Sequence, residues 1–270
     1  MIFYNNFILH CQCMEKKPLI SYILPAYQAE SFIYNKLDLF YSFCAESEYS
    51  SEIIIVNDGS SDRTNEIIKT FINNRGDRQK NHFVKYVNLP QNRGKGNAVK
   101  SGFEASVGQY IIFIDSDLPY SFKNIGDVVH ALVEDRANFA IANRMHKDSV
   151  YKIRSENLSY IYVRHTAGRI YNKLIQLFTQ LKFEDTQAGL KGFDRDTAAL
   201  VFSRMTIEGF SFDIDLLVCA RENNKDIHTV PVELNYDSEI STINFVRQIF
   251  IMTLGLFRIY LKRLSGYYKK

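Results

Sequence analysis

Cysteine is scarce in this chain: four stand in 270 residues, at positions 11, 13, 44 and 219. Cys11 and Cys13 are too close for an ordinary structural bridge, and no Cys-x-x-Cys repeat occurs, which excludes a disulfide framework. A reducing, cytoplasmic setting is the expectation that follows. A targeting signature is also missing. Residues 1–13 begin apolar but have neither a basic leading segment nor a small-residue cleavage site, so no signal peptide is expected. Met14, directly before Glu15-Lys16-Lys17-Pro18, reads as the natural start, with residues 1–13 an overhang. Internal repeats and low-complexity linkers are absent, so residues 14–240 read as one domain and 241–270 as a tail. That tail has no acidic residue but six basic ones: Arg247, Arg258, Lys262, Arg263, Lys269 and Lys270. Since the whole chain carries +3, residues 1–240 are left with −3. The small total, with basic residues on an apolar helix rather than among interleaved aromatics, speaks against a nucleic-acid partner.

What is present is ample apolar material, 46% of residues, with an ordinary 23% charged. It is organised around one stretch, Tyr110 to Ile114, followed by Asp115-Ser116-Asp117. The apolar run suits a strand buried on both faces of a parallel sheet. Ligands of open α/β sheets bind beyond the carboxyl ends of such strands. Two carboxylates this close repel unless a cation lies beside them, and a hard divalent ion shared with substrate phosphates satisfies both. Alone, the pattern reads equally as a helix cap and a turn aspartate.

The rest alternates strand and helix, which predicts parallel βαβ units. Strands are expected at 19–24 (stopped by Pro25), 52–56, 83–88, 139–142 and 229–232, with residues 184–193 a turn and short strand. Helices are expected to about Glu46, capped by Ser31, and over 64–73, to about Ser106, 122–134, 158–181 and 212–223. Asn92-Arg93-Gly94-Lys95-Gly96 before a helix suggests an anion cradle of free backbone N–H groups, or a turn that glycine merely permits. Arg144 at a strand end suits a phosphate, or is a solvated surface arginine. His165 reads as a helix-face residue. Residues 145–158 are expected to be a mobile polar loop. Ile243 to Leu264 is largely apolar, with Asn244, Arg247, Gln248, Gly255, Arg258 and Lys262 as a polar strip. Two arginines within it oppose a spanning helix by roughly 2.5–3.5 kcal/mol each near the centre. An amphipathic helix on an anionic membrane surface is expected over residues 242–264. The alternative is docking on the core or on a partner subunit of a homo-oligomer.

In this order, several stretches resemble family 2 glycosyltransferases of the GT-A fold, above all dolichyl- and polyprenyl-phosphate β-glucosyltransferases. They are 24–30, Val56 to Asp62, 92–96, Asp115 to Asp117, Arg144, Asp185 to Lys191, and Phe212 to Asp215. The resemblance implies an α/β, Rossmann-like fold with a mostly parallel central sheet. It implies that Pro25, Ala26, Tyr27 and Glu30 line the nucleotide pocket, that Asp58 bonds the base with Lys95 near it, and that Gly59 and Ser116 belong to the same site. Asp115 would face the ribose and a Mg2+ or Mn2+ ion, and Asp117 would ligate that ion directly. Arg144 and Arg164 would bind phosphates, while Asp185, Gln187, Asp213 and Asp215 would surround sugar and acceptor. The implied reaction is inverting transfer of glucose from UDP-glucose to a polyprenyl phosphate, dolichyl or undecaprenyl, at the cytoplasmic face of a membrane. GDP-mannose as donor, or a glycan hydroxyl acceptor with Asp185 or Asp213 as base, are the enzymatic alternatives. A silent nucleotide-sugar-binding scaffold subunit is the non-enzymatic one. Departures from the family pattern occur at Ala142-Asn143, Leu118-Pro119, Asp215 and Glu239-Ile240-Ser241.

Overall fold

The computed structural model describes residues 17–75, 82–153, 158–236 and 245–269, so the overhang and the 239–241 departure lie outside the described residues. Four parallel strands form the first half of the main sheet: β1 (Ile20–Ala26), β2 (Ser51–Asn57), β3 (His82–Asn88) and β4 (Tyr110–Ile114). Between them run α1 (Ile33–Glu46), α2 (Thr64–Arg75) and α3 (Lys95–Ala105). Next come α4 (Phe122–Val133), β5 (Phe139–Asn143), β6 (Val150–Ile153) and α5 (Leu158–Thr179). The chain continues through β7 (Leu190–Asp194), α6 (Arg195–Arg204), α7 (Phe212–Glu222), β8 (Ile227–Pro231), β9 (Glu233–Tyr236) and α8 (Phe245–Leu264). The seven-stranded sheet has the order β3-β2-β1-β4-β7-β5-β8.

Strand periodicity explains the layering. Ile53 and Ile55 of β2, with Ile112 and Ile114 of β4, enter a core that includes Leu37 and Phe40 of α1 and Val128 of α4. Their alternates, Ile54, Val56, Ile111 and Phe113, enter a second core with Val99 of α3 and Phe212 and Leu216 of α7. Burial on both faces is why these strands read as continuous apolar runs.

One strand runs against the rest. β7 is antiparallel to both β4 and β5, so the segment before it arrives at the carboxyl end of β4. There the Asp115 N–H donates to the Gly189 carbonyl at 2.9 Å. This reversal brings residues 185–189 to the acidic tip.

Three expectations change. Pro25 lies within β1 opposite Val56 rather than ending it. The ladder with β4 stops at Ile23, so the missing N–H leaves no gap there. Ser31 does not cap α1: the N-cap is Phe32 without a side-chain bond, and the Phe32 and Ile33 N–H groups both donate to the Ala29 carbonyl. Residues 145–158 are not wholly loop, because β6 pairs in parallel with β9 as a second, two-stranded sheet. For the tail, the alternative of docking on the core is the arrangement seen over its described residues, and residues 242–244 of the expected helix lie outside them. α8 packs on α5 and α7, with Leu256, Ile259 and Tyr268 buried in the second core. Cys44 and Cys219 are buried free thiols, and no described helix is long and apolar enough to cross a membrane.

Candidate active site

At the β4 tip, Lys95 from the first turn of α3 places its ammonium 2.5 Å from Asp115 Oδ1. Burial works to depress the Lys95 ammonium, but Asp115, Asp213 and Asp117 outweigh it and hold the lysine above its ordinary range. Gly189 faces the other Asp115 oxygen so closely that a Cβ there would fall 1.8 Å from Oδ2. Only glycine lets the 185–189 segment pass this carboxylate. Ser116 is buried. Burial first, and the Asp115 charge second, push the Asp117 carboxyl up to about 6.

Whether a divalent ion suits the site is a question of its donors. Asp115 and Asp117 offer hard oxygen donors, and a cation, the Lys95 ammonium, already stands against one of them. Among the described residues no group of three or more His, Cys, Asp or Glu could hold a metal. A pair of carboxylates fits an ion such as Mg2+, whose remaining positions go to substrate phosphates and water.

A second ion pair lies beneath the first. Lys191 on β7 is fully buried and donates to Asp213 Oδ1 at 2.7 Å and to the Ala188 carbonyl at 2.5 Å. Burial pushes Asp213 up and Lys191 down, while their mutual attraction opposes both shifts. The aromatic ring of Phe113 lies 5.6 Å from the Lys191 ammonium and 5.9 Å from that of Lys95. Lys191 was missed as a site residue. Its signal was a lone lysine in the apolar strand Leu190-Lys191-Gly192-Phe193. Tyr120, also missed, is buried and accepts the Gly189 N–H at 2.9 Å; nothing in its sequence setting marks it.

The remaining expected residues take other places. Asp58 fastens a loop: its carboxylate accepts from Arg93 N–H at 3.1 Å, Gly94 N–H at 2.9 Å and Asn92 Nδ2 at 3.0 Å. Burial raises its pKa, and the Arg93 and Gly94 amides oppose that rise. Of the expected anion cradle, the Arg93 and Gly94 amides serve Asp58 and the Asn97 N–H serves the Glu208 carbonyl. Gly59, at φ 65°, runs so close to the same loop that a Cβ would lie 2.3 Å from the Gln91 carbonyl carbon. Ala26, next to Pro25 at the end of β1, accepts the Asp58 N–H at 2.9 Å. Tyr27 is exposed. Glu30 holds the neighbouring loop, accepting the Arg63 N–H at 2.9 Å.

Arg144 at the end of β5 forks onto Asp185: Nε meets Oδ2 at 2.6 Å and an Nη meets Oδ1 at 2.9 Å. Burial works to raise Asp185, but the Arg144 guanidinium more than offsets it and keeps this carboxyl below the usual range. The Gln187 N–H completes the turn on Asp185 Oδ1 at 3.2 Å. Arg164 is on α5, and its side chain lies outside the described residues. Asp215 is held by protein partners. It accepts from the Thr206 and Ile207 amides at 2.5 and 3.0 Å and from the buried Tyr268 hydroxyl.

The structure thus gathers Lys95, Asp115, Asp117, Asp213 and Lys191 at one strand tip and joins Arg144 to Asp185 nearby in the fold. A sheet of this topology with an acidic tip is that of a GT-A glycosyltransferase. The chain belongs to the family described as Glycosyl transferase family 2, which residues 21–201 match. Dolichyl-phosphate beta-glucosyltransferase of Dictyostelium discoideum is 31% identical over 224 residues, spanning 79% of this chain and 65% of that protein. The protein of the same description from Saccharomyces cerevisiae is 26% identical, over 81% of this chain and 67% of its own length. The chain therefore spans about two-thirds of these relatives. Among solved structures, glucosyl-3-phosphoglycerate synthase from Mycobacterium tuberculosis, in complex with Mn2+, UDP-glucose and phosphoglyceric acid, is similar in fold. Its TM-score is 0.63 at 17% identity, covering 92% of this chain and 80% of that one. Mannosyl-3-phosphoglycerate synthase from Rubrobacter xylanophilus gives a TM-score of 0.62 at 16% identity, over 92% and 74% of the two chains.

Proposed function

We propose that this protein transfers glucose from UDP-glucose to a polyprenyl phosphate, with inversion, at the cytoplasmic face of a membrane to which it binds peripherally. The observation that carries the reading is the acidic tip, where Asp115 and Asp117 stand together with Lys95, in a chain whose curated relatives are described as dolichyl-phosphate beta-glucosyltransferases. Asp115 and Asp117 are the residues that would hold Mg2+ or Mn2+, and such an ion supplies Lewis-acid stabilisation of the leaving diphosphate when bound.

The acceptor chemistry agrees with the charges. A phosphate monoester has a second pKa of about 6, so its oxygen is largely ionised at neutral pH and needs no general base. Both carboxylates that a hydroxyl acceptor could use as base are engaged: Asp185 in the fork with Arg144, Asp213 in the buried pair with Lys191. That favours the lipid phosphate over a glycan hydroxyl. In the proposed step the acceptor oxygen forms a bond to the anomeric carbon as the bond to the diphosphate oxygen breaks. The electron pair leaves with UDP, and a single displacement turns an α-linked donor into a β-linked product. What the protein contributes is alignment and preorganised charge. Lys95, pressed against Asp115, adds positive charge at the tip.

The direct test is incubation of the purified protein with UDP-glucose, Mg2+ or Mn2+ and a short-chain polyprenyl phosphate. Formation of a β-linked glucosyl lipid is expected. Turnover with GDP-mannose and none with UDP-glucose would transfer the assignment to a mannosyl donor, and no lipid product with any sugar nucleotide would refute it.

A further inference from the structure

The two helices packed side by side at the second core share an unusual composition. α5 and α8 together contain no acidic residue, yet carry Arg164, Arg169, Lys173, Arg247, Arg258, Lys262 and Arg263. Their packing is direct: the Tyr171 hydroxyl donates to the Met252 carbonyl at 2.8 Å, and Phe178 meets Tyr260 edge-on at 5.3 Å. Each helix buries one side and leaves apolar side chains in water on another. On α8, Phe250, Leu254, Phe257, Leu261 and Leu264 recur at steps of three and four residues and are exposed, Phe250 and Leu264 by more than 60%. On α5 the row is Ile170, Leu174 and Leu177, the last 72% exposed. Scattered exposed leucines are ordinary, but two ordered rows on adjacent helices mark an interaction surface.

We infer that α5 and α8 form one bilayer-docking face for an anionic lipid surface, with α5 contributing as much as the tail. Charge decides the occupant. A second copy meeting this face by twofold symmetry would bring basic helices against basic helices with no carboxylate on either, which is repulsive. An anionic leaflet instead attracts the exposed lysines and arginines while the apolar rows enter the headgroup boundary; Arg263 is not among them, being paired with Glu222 of α7 at 2.8 Å. Arg169, Lys173 and Arg258 are exposed on the same two helices. The face is also wired to the catalytic side. Asn172 of α5 donates to the carbonyls of Phe183 and Glu184 at 3.0 and 2.7 Å and accepts from Thr186 at 3.2 Å, while Gln176 donates to Phe183 at 3.0 Å. α5 therefore holds the segment that carries Asp185, and docking it fixes that segment relative to the lipid. This placement rests on the proposed lipid-phosphate acceptor.

The test is co-sedimentation of the full chain with phosphatidylcholine vesicles, with and without phosphatidylglycerol. The wild type is expected to bind the anionic vesicles and to release as salt rises. Leu174→Asp with Leu177→Asp on α5, and separately Phe257→Asp on α8, should each lower the bound fraction by about tenfold or more. Circular dichroism and UDP binding should stay unchanged, because these side chains are exposed and far in sequence from the acidic tip. Loss with the α8 variant but not the α5 variant would overturn the shared face. So would vesicle-independent dimers in sedimentation velocity that both variants split. Vesicle binding without any sugar transfer would sink the proposed reaction and leave this surface standing. Transfer to a detergent-dispersed acceptor without vesicle binding would do the reverse.

Discussion

Lys191 has its ammonium entirely out of water, balanced by Asp213 and lying against the Phe113 ring. Removing one member of a buried pair leaves an unpaired charge, at a cost of about 3–5 kcal/mol. Lys191→Met should lower stability by that order in urea denaturation, and Lys191→Met with Asp213→Leu should recover much of it. Recovery would identify the pair as support beneath the site, whereas equal loss in both would assign the effect to packing. Gly189 gives a sharper local test. Gly189→Ala would force Asp115 aside, so cation-dependent UDP binding should fall at least about tenfold, since the displaced group is a charged ligand, with the helical spectrum retained. Asp117 sets a pH dependence. Its folded value, about 6, lies above the ordinary ~3.9, so in that window the folded protein keeps a proton the unfolded chain has released. Stability from this group therefore falls as pH rises through the window, and a bound cation removes the penalty. The rise in Tm caused by Mn2+ should accordingly be larger near neutral pH than near pH 5, and an equal rise at both would contradict the shift.

Among the elements, the βα alternation was legible because β1, β2 and β4 are largely apolar and the turns after them are polar. β6 was not legible. Four residues pairing with a distant β9 carry too little pattern, and the partnership is decided by tertiary contact. The acidic turns were readable as chemistry but not as bonding. Sequence placed Asp58 and Arg144 at strand ends correctly, yet burial gave them protein partners, the 92–94 amides and Asp185. Lys191 shows the converse: a charge in a buried strand is visible in the sequence, but its counter-charge 22 residues later is found only through the fold. At this scale the tail is held by one contact in particular. Tyr268 is fully buried, and its hydroxyl donates to Asp215. Tyr268→Phe leaves that carboxylate short of a donor and should cost about 1–3 kcal/mol, read as a lower urea midpoint with an unchanged slope.

For the molecule as a whole, the fold divides its charge as well as its chemistry. A negative domain surrounds the acidic tip, while two helices on one flank are purely basic. The family was readable because its motifs keep their order along the chain, and each falls at the carboxyl end of a strand or the start of a helix, save 185–191, which leads into β7. The docking of α8 was less readable, since an amphipathic pattern does not say whether core or lipid takes the apolar side; here the helix has apolar residues for both. The proposed transfer depends on the strand tip holding a cation-bridged diphosphate. The measurement that tests this most directly is titration calorimetry of UDP-glucose into the wild type and Asp117→Ala, each with and without Mn2+. Saturable binding is expected only for the wild type with the cation. Equal uptake without the cation, or by Asp117→Ala, would contradict it.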